Sequence, residues 1–231
     1  MGIAMRRHRP IFANPIIHES ACIYSVDDYI DMSRLPENLT SAVRKRQVEF
    51  LAGRDAARRA LLELRPEHTG SIGIGPLREP VWPTGVVGSI THTEGYAAAA
   101  VASAKDCIAI GIDIERVMSR EVAAGLAAGI CCPGELGKFG SSCSSVTIAF
   151  SAKESLYKCL SPSVRKVFDF HHAQIEEMDF ETGGFEIHLT RDLNSVYRSG
   201  WRTAGRFFFD GELVHTGVAL VANGIGDTLA S

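Results

Sequence analysis

The sequence predicts an α+β fold, and three observations carry that expectation. Residues 41–65 place apolar side chains near helical spacing, and IAIGIDIE at 108–115 alternates as a strand does. The remaining strand-like pieces come in runs, mixed with few helices and without regular βαβ alternation.

The first helix is marked by Val43, Phe50, Leu51, Ala57, Leu61 and Leu64, with Pro66 just past its end and Gly53 as its weak point. From 70 to 88 the chain turns to glycine and proline (IGIGPLREPVWPTGVVG at 72–88), which reads as a ligand-lining loop with short extended pieces. YAAAAVASA at 96–104 has no decisive period and is expected to be a buried strand. Residues 125–147, rich in Gly, Ser and Cys, read as a flexible connection or a partner-facing loop. A helix at about 151–160 follows, then strands near 173–180, 184–190, 201–209 and 213–222. Asp210-Gly211 suggests a hairpin turn between the last two.

Composition sets the outer limits. With 231 residues, 45% of them hydrophobic, the chain can bury a core as one domain or as two small ones. A net charge of -3 argues against nucleic acid, so an anionic ligand is expected to be small. No apolar run reaches the roughly 20 residues of a membrane span, and the basic start MGIAMRRHRP leads into no signal-peptide core. A cytoplasmic protein is expected. The six cysteines lack C-x-x-C spacing and read as free thiols.

Period two gives the strand at 108–115 its chemistry. Ile108, Ile110, Ile112 and Ile114 share one face, whereas Gly111, Asp113 and Glu115 share the other. The two carboxylates lie about 6 to 7 Å apart along the backbone, a separation suited to one hard cation such as magnesium. Gly111 beside them leaves room for a ligand. A half-exposed strand with acids facing solvent explains the same pattern.

FSAKESLYK at 150–158 also reads two ways. Ser151 and Glu154 fit a capping box, and Glu154 with Lys158 fits an i,i+4 ion pair. Lys153 beside Glu154 at a helix start instead suits a phosphate and a metal or proton. Upstream, His92 in GSITH (88–92) is either a buried structural histidine or an anion contact. Arg46, Arg54 and Arg58 fall within roughly a 120° sector of the first helix, as solvated arginines or as a cationic stripe for a phosphate-rich ligand.

The ordered set GRDAAR (53–58), WPTGVVGSITH (82–92), GIDIE (111–115) and FSAKESLYK (150–158) resembles the 4′-phosphopantetheinyl transferases. It is most similar to the siderophore-synthase type, the group of enterobactin synthase component D and the surfactin activator. The resemblance implies two similar α+β halves joined as a pseudo-dimer, divided here near 106 into 1–106 and 107–231, with coenzyme A and Mg²⁺ in the cleft. It implies attack by a carrier-protein serine on the β-phosphate of coenzyme A, giving holo-carrier and adenosine 3′,5′-bisphosphate.

Residue by residue, the resemblance assigns Asp113, Glu115 and Glu154 to Mg²⁺, with Glu154 also accepting the serine proton. Lys153 and Lys158 would neutralise the diphosphate, and Lys158 shares the catalytic role. His92 would meet the 3′-phosphate, with Arg46, Arg54, Arg58, Ser89 and Thr91 as further coenzyme A contacts. Relatives often carry a lysine in the loop before E-P-x-W-P; Arg78 takes its place here, or that contact is missing. The partner would be an acyl or peptidyl carrier protein, docked on the segment after 125 and the start of the 151–160 helix, and the enzyme a monomer. The alternatives are another Mg-dependent phosphotransferase or pyrophosphatase acting on coenzyme A, and a non-catalytic coenzyme A-binding module. GK[ST] is absent and IGIGP lacks the third glycine spacing, which disfavours P-loop and Rossmann readings.

Overall fold

A computed structural model describes residues 3–6, 8–68, 70–76 and 78–222. In chain order the elements are β1 (Ala4–Arg6), β2 (His18–Ile23), α1 (Glu37–Thr40), α2 (Arg44–Leu64), β3 (Gly73–Ile74), β4 (Pro80–Val81), β5 (Val86–Thr93), β6 (Tyr96–Ser103) and β7 (Cys107–Arg116). They continue with α3 (Arg120–Ile130), α4 (Glu135–Phe139), α5 (Cys143–Val164), β8 (Ala173–Asp179), β9 (Gly184–Leu189), β10 (Arg202–Asp210) and β11 (Leu213–Val221). Two antiparallel sheets result, ordered β1-β2-β6-β5 and β7-β11-β10-β9-β8, besides the small β3-β4 pair. The α+β expectation holds. No helix among the described residues is long and apolar enough to cross a membrane.

Each large sheet is covered by one long helix. β6 shows why its sequence is nearly all alanine. Ala97, Ala99 and Val101 pack under α2 with Ala52, Ala56, Ala60 and Leu61, whereas Tyr96, Ala98, Ala100 and Ala102 face Ile110, Ile112 and Ile114 of β7. A strand covered on both faces at close range has space only for small side chains. Gly53 of α2 serves the same closeness, since a Cβ there would lie 2.9 Å from Ile90 Cγ2. The helix's apparent weak point is therefore a packing requirement.

β7 is the junction. Its isoleucines face the first sheet, and its other face meets α5. Ile108, expected among them, instead lies outside the interface and is exposed. On the opposite face, Gly111 offers no ligand access: a Cβ would lie 1.9 Å from the Ser155 carbonyl oxygen and 2.5 Å from the Cys159 nitrogen. Its missing side chain is filled by helix backbone.

The N-terminal segment closes the junction from outside. Glu19 accepts hydrogen bonds from His8 Nε2 (3.0 Å) and from the amides of Ile11 and Phe12 (both 2.9 Å). Ile11 and Phe12 then cover Gly217 of β11, where a Cβ would meet the Phe12 ring at 2.6 Å.

Residues 125–147 are not a flexible connection. They contain most of α3, all of α4 and the first turn of α5. Ser119 caps α3 and Ser142 caps α5, each side chain accepting an amide of its first turn. The helix expected at 151–160 thus begins at Cys143, eight residues earlier, and Ser151 and Glu154 form no capping box because they lie mid-helix. Serine and threonine read as loop formers, yet here their hydroxyls find fixed partners: Thr147 Oγ1 donates to the Cys143 carbonyl (2.7 Å) and accepts from the Met118 amide (3.0 Å). All six cysteines are free thiols.

Because β7 and α5 meet backbone to backbone, Gly111→Ala is expected to destabilise the fold by about 3 kcal/mol. Urea unfolding should show a lower midpoint with the slope retained; a midpoint equal to wild type would mean that α5 can back away from β7.

Candidate functional site

Two neighbouring groups of side chains, one cationic and one acidic, meet where the two sheets join. The cationic group lies on α2 and β5. At about 100° per residue, Arg46, Phe50, Gly53 and Arg54 share one face of α2. With Glu49, His92 and Arg78 they line a cavity of about 130 Å³. Arg46 Nη1 donates to His92 Nε2 (3.2 Å), and Arg54 donates to the carbonyls of Ile72 (3.2 Å) and Gly73 (3.0 Å) while its guanidinium lies over the Phe50 ring.

Burial, with Arg46 nearby, lowers the Arg54 pKa to about 10. Burial, then Arg46 and Lys158, push that of His92 from its ordinary 6.5 to about 4, so the ring is neutral at physiological pH. A cavity that depresses both bases is one that an anion would relieve. Arg78 reaches its wall from the loop before Glu79-Pro80, in the left-handed region at φ 67°. Arg58, at the far edge of the arginine sector, instead lines an adjoining depression with Arg34 and Arg54.

Ser89 and Thr91 do not face this cavity. Alternation along β5 turns them away from His92, and their buried hydroxyls accept the β7 amides of Ile112 (3.1 Å) and Ile114 (3.2 Å). Both are consumed in joining the two sheets.

The acidic group is built by β7 and α5. Ser151, Glu154, Ser155 and Lys158 fall within roughly a 100° sector of α5. Asp113, 3% exposed, accepts from Lys158 Nζ (2.6 Å) and Thr91 Oγ1 (3.2 Å) on Oδ1, and from Ser151 Oγ (2.8 Å) on Oδ2. Lys158, expected to pair with Glu154, thus gives its amine to Asp113. Burial, then Asp113 and Glu154, raise the Glu115 pKa to about 7, although Lys158 opposes the rise. Glu154 is also raised, by burial first and by Asp113 as well, against the same lysine.

Lys153 faces the other way. It lies about 200° around α5 from Ser151 and is buried, with Nζ donating to Glu135 Oε2 (2.8 Å) and to the Ile130 carbonyl (2.8 Å). Glu135 also accepts the amides of Cys132 and Ile175. This buried pair ties α5 to α4 and β8, so Lys153 is a structural residue and no phosphate contact. Sequence reasoning missed Glu135, and it missed Glu49, which lies 4.0 Å from both Arg46 and His92. The spacing of Glu49 three residues after Arg46 carried a signal; Glu135 carried none.

Among the described residues, no three His, Cys, Asp or Glu side chains form a ready cage. Asp113, Glu115 and Glu154 nonetheless supply hard oxygens, and burial, with Asp113 close by, raises the pKa of both glutamates, with one lysine to offset three carboxylates. Mg²⁺ takes only one or two protein carboxylates and fills its shell with phosphate oxygens and water. The set fits such an ion.

Two families match the chain in tandem. The 4′-phosphopantetheinyl transferase N-terminal domain matches residues 35–102, and the 4′-phosphopantetheinyl transferase superfamily matches 109–211. Enterobactin synthase component D of Salmonella typhi is 41% identical over 140 residues, covering 58% of this chain and 57% of that protein. That of Escherichia coli K12 is 45% identical over 134 residues, covering 55% and 62%. The chain therefore spans less than two thirds of the length of these relatives. 4′-Phosphopantetheinyl transferase Npt of Nocardia iowensis is 34% identical over 157 residues, covering 65% of this chain and 69% of that protein. With both tandem domains matched in order and the acidic and cationic groups falling within them, the chain belongs to the 4′-phosphopantetheinyl transferase superfamily.

Proposed function

We propose that this chain transfers the 4′-phosphopantetheine group of coenzyme A to a serine of an apo acyl or peptidyl carrier protein, in the manner of the siderophore-synthase group. One observation carries the reading above the rest: adjacent residues of β5 serve the two groups, His92 toward Arg46 and Thr91 toward Asp113. A ligand with a 3′-phosphate at one end of its nucleotide and a diphosphate at the other would be held by both.

In this reading Arg46, Arg54, His92 and Arg78 receive the adenosine phosphates, and Arg58 lies outside that contact. The boundary near 106, between β6 and β7, divides the cationic half from the acidic one, and a single chain supplies both walls. Asp113, Glu115 and Glu154 would hold Mg²⁺, which supplies a Lewis acid for the diphosphate oxygens. The carrier serine oxygen forms a bond to the β-phosphorus, and the bond from that phosphorus to the bridging oxygen breaks. Glu154 takes the serine proton, a role suited by its raised pKa and partial burial. Lys158 offsets charge on the leaving adenosine 3′,5′-bisphosphate. The solvent-facing side of α3, with exposed Val122 and Leu126, is the surface for the carrier, and the start of the 151–160 segment, mid-helix in α5, is not.

Mass spectrometry tests the reaction. An apo-carrier incubated with the protein, coenzyme A and Mg²⁺ should gain the phosphopantetheine mass, whereas splitting of coenzyme A without carrier would point to a pyrophosphatase. Glu154→Gln should lower turnover by about 100-fold or more while melting near wild type, since Ser142 caps the helix and Glu154 does not. Retained turnover would remove Glu154 as the base. Histidine NMR at pH 6 should show His92 neutral in the free protein and protonated once coenzyme A is bound, because a phosphate favours the charged ring. Dephospho-coenzyme A should leave it neutral; protonation by both would exclude the 3′-phosphate contact.

A further inference from the structure

Behind Asp113 lies a chain of hydroxyls that the reaction as described does not use. Ser151, Ser155 and Thr216 are each fully buried, and Thr216 of β11 is paired directly opposite Asp113. Ser151 Oγ donates to Asp113 Oδ2 (2.8 Å), Thr216 Oγ1 lies 2.9 Å from Ser151 Oγ, and Ser155 Oγ lies 2.7 Å from Thr216 Oγ1.

Proton counting orients the chain. A hydroxyl carries one hydrogen, and a carboxylate paired with a lysine can only accept. The Ser151 proton is committed to Asp113, so the Ser151–Thr216 contact must use the Thr216 proton, and the Thr216–Ser155 contact that of Ser155. All three donors therefore point toward Asp113, an arrangement in which each bond polarises the next. On the carboxylate's other oxygen stand Thr91 and the partly exposed Lys158, so Oδ1 lies on the side of the lysine and Oδ2 is withdrawn toward the fully buried Ser151.

We propose that Ser151 and Thr216 are positioning residues: the relay from Ser155 through Thr216 and Ser151 locks the rotation of Asp113 so that Oδ1, on the side of Lys158, is the oxygen presented to the cation. This rests on the transferase reading for what the cleft binds. It reassigns Ser151 from helix cap to second support of the acidic group. Hydrogen bonds behind a metal-binding carboxylate commonly matter 10- to 100-fold in metal affinity or activity.

The test separates the hydroxyl from the packing of Thr216. Thr216→Val keeps the shape and removes the relay, whereas Thr216→Ser keeps the relay and removes a methyl group. Mn²⁺ binding, read by the EPR signal of the free ion with coenzyme A present, should weaken about tenfold in Thr216→Val and in Ser151→Ala, and stay within about twofold of wild type in Thr216→Ser. With carrier present, kcat should fall in the same order while KM for coenzyme A holds. The opposite ranking, with Thr216→Ser the weaker binder, would show a packing role and overturn the proposal, as would a Thr216→Val protein that binds Mn²⁺ like wild type or a wild type that binds none. A wild type that binds Mn²⁺ but loads no carrier counts against the transferase reading alone, because the ranking of Mn²⁺ affinities still decides the relay.

Discussion

The open edge of β7 is the constraint around which the molecule is organised. One edge of this strand is paired with β11, which leaves the amides of Ile112 and Ile114 needing acceptors in a buried interface. Unpaired, each would cost on the order of 1 to 3 kcal/mol. Ser89 and Thr91 supply the acceptors from the neighbouring sheet. Side-chain hydroxyls reach farther than a backbone carbonyl, so the two sheets are joined without merging.

The electrostatics of the two charged groups follow from that seam. Alternation along β5 sends Ser89 and Thr91 to β7 and therefore sends His92 to the arginines of α2. Alternation along β7 sends its isoleucines into the junction and therefore sends Asp113 to α5. Each strand thus uses one face for cohesion and the other for charge. Burial, with Asp113 close by, raises the pKa of Glu115 and of Glu154, while Lys158 holds Asp113 itself. The charge left over is a surplus of carboxylates, arranged beside a surplus of bases.

Legibility in the sequence followed the range of the interaction. The α2 helix, the β7 strand and the Asp210-Gly211 hairpin were readable because their signals each lie within one continuous stretch of chain. The start of α5 was not, since Ser, Thr and Cys between 141 and 147 imitate a loop until tertiary partners claim their hydroxyls. That error had consequences: a helix taken to start at 151 makes Ser151 a cap and puts Lys153 in the site, whereas a continuous helix turns Lys153 toward Glu135. The outward turn of Ser89 and Thr91 was available from period two but yielded to the motif they share with His92. The contact of Ser151 with Thr216 spans 65 residues and depends on the register of β7 with β11, which no local pattern encodes. Resemblance to a family located the acids and bases; it did not say which of them face the cleft.

The N-terminal segment that covers the junction raises a matter of timing. Ile11 and Phe12 pack on Gly217, a residue made about 200 positions later, and His8 lies against the ring of His215. During synthesis both apolar side chains leave the ribosome long before their seat exists. The first sheet can assemble on α2 early, but its inner face and this segment must wait for β7 and β11, at a closure distance that slows folding and leaves sticky surface in the open. For the nascent protein, the seam between the sheets is therefore a period of vulnerability as well as a place, and it is there that a chaperone would find something to hold.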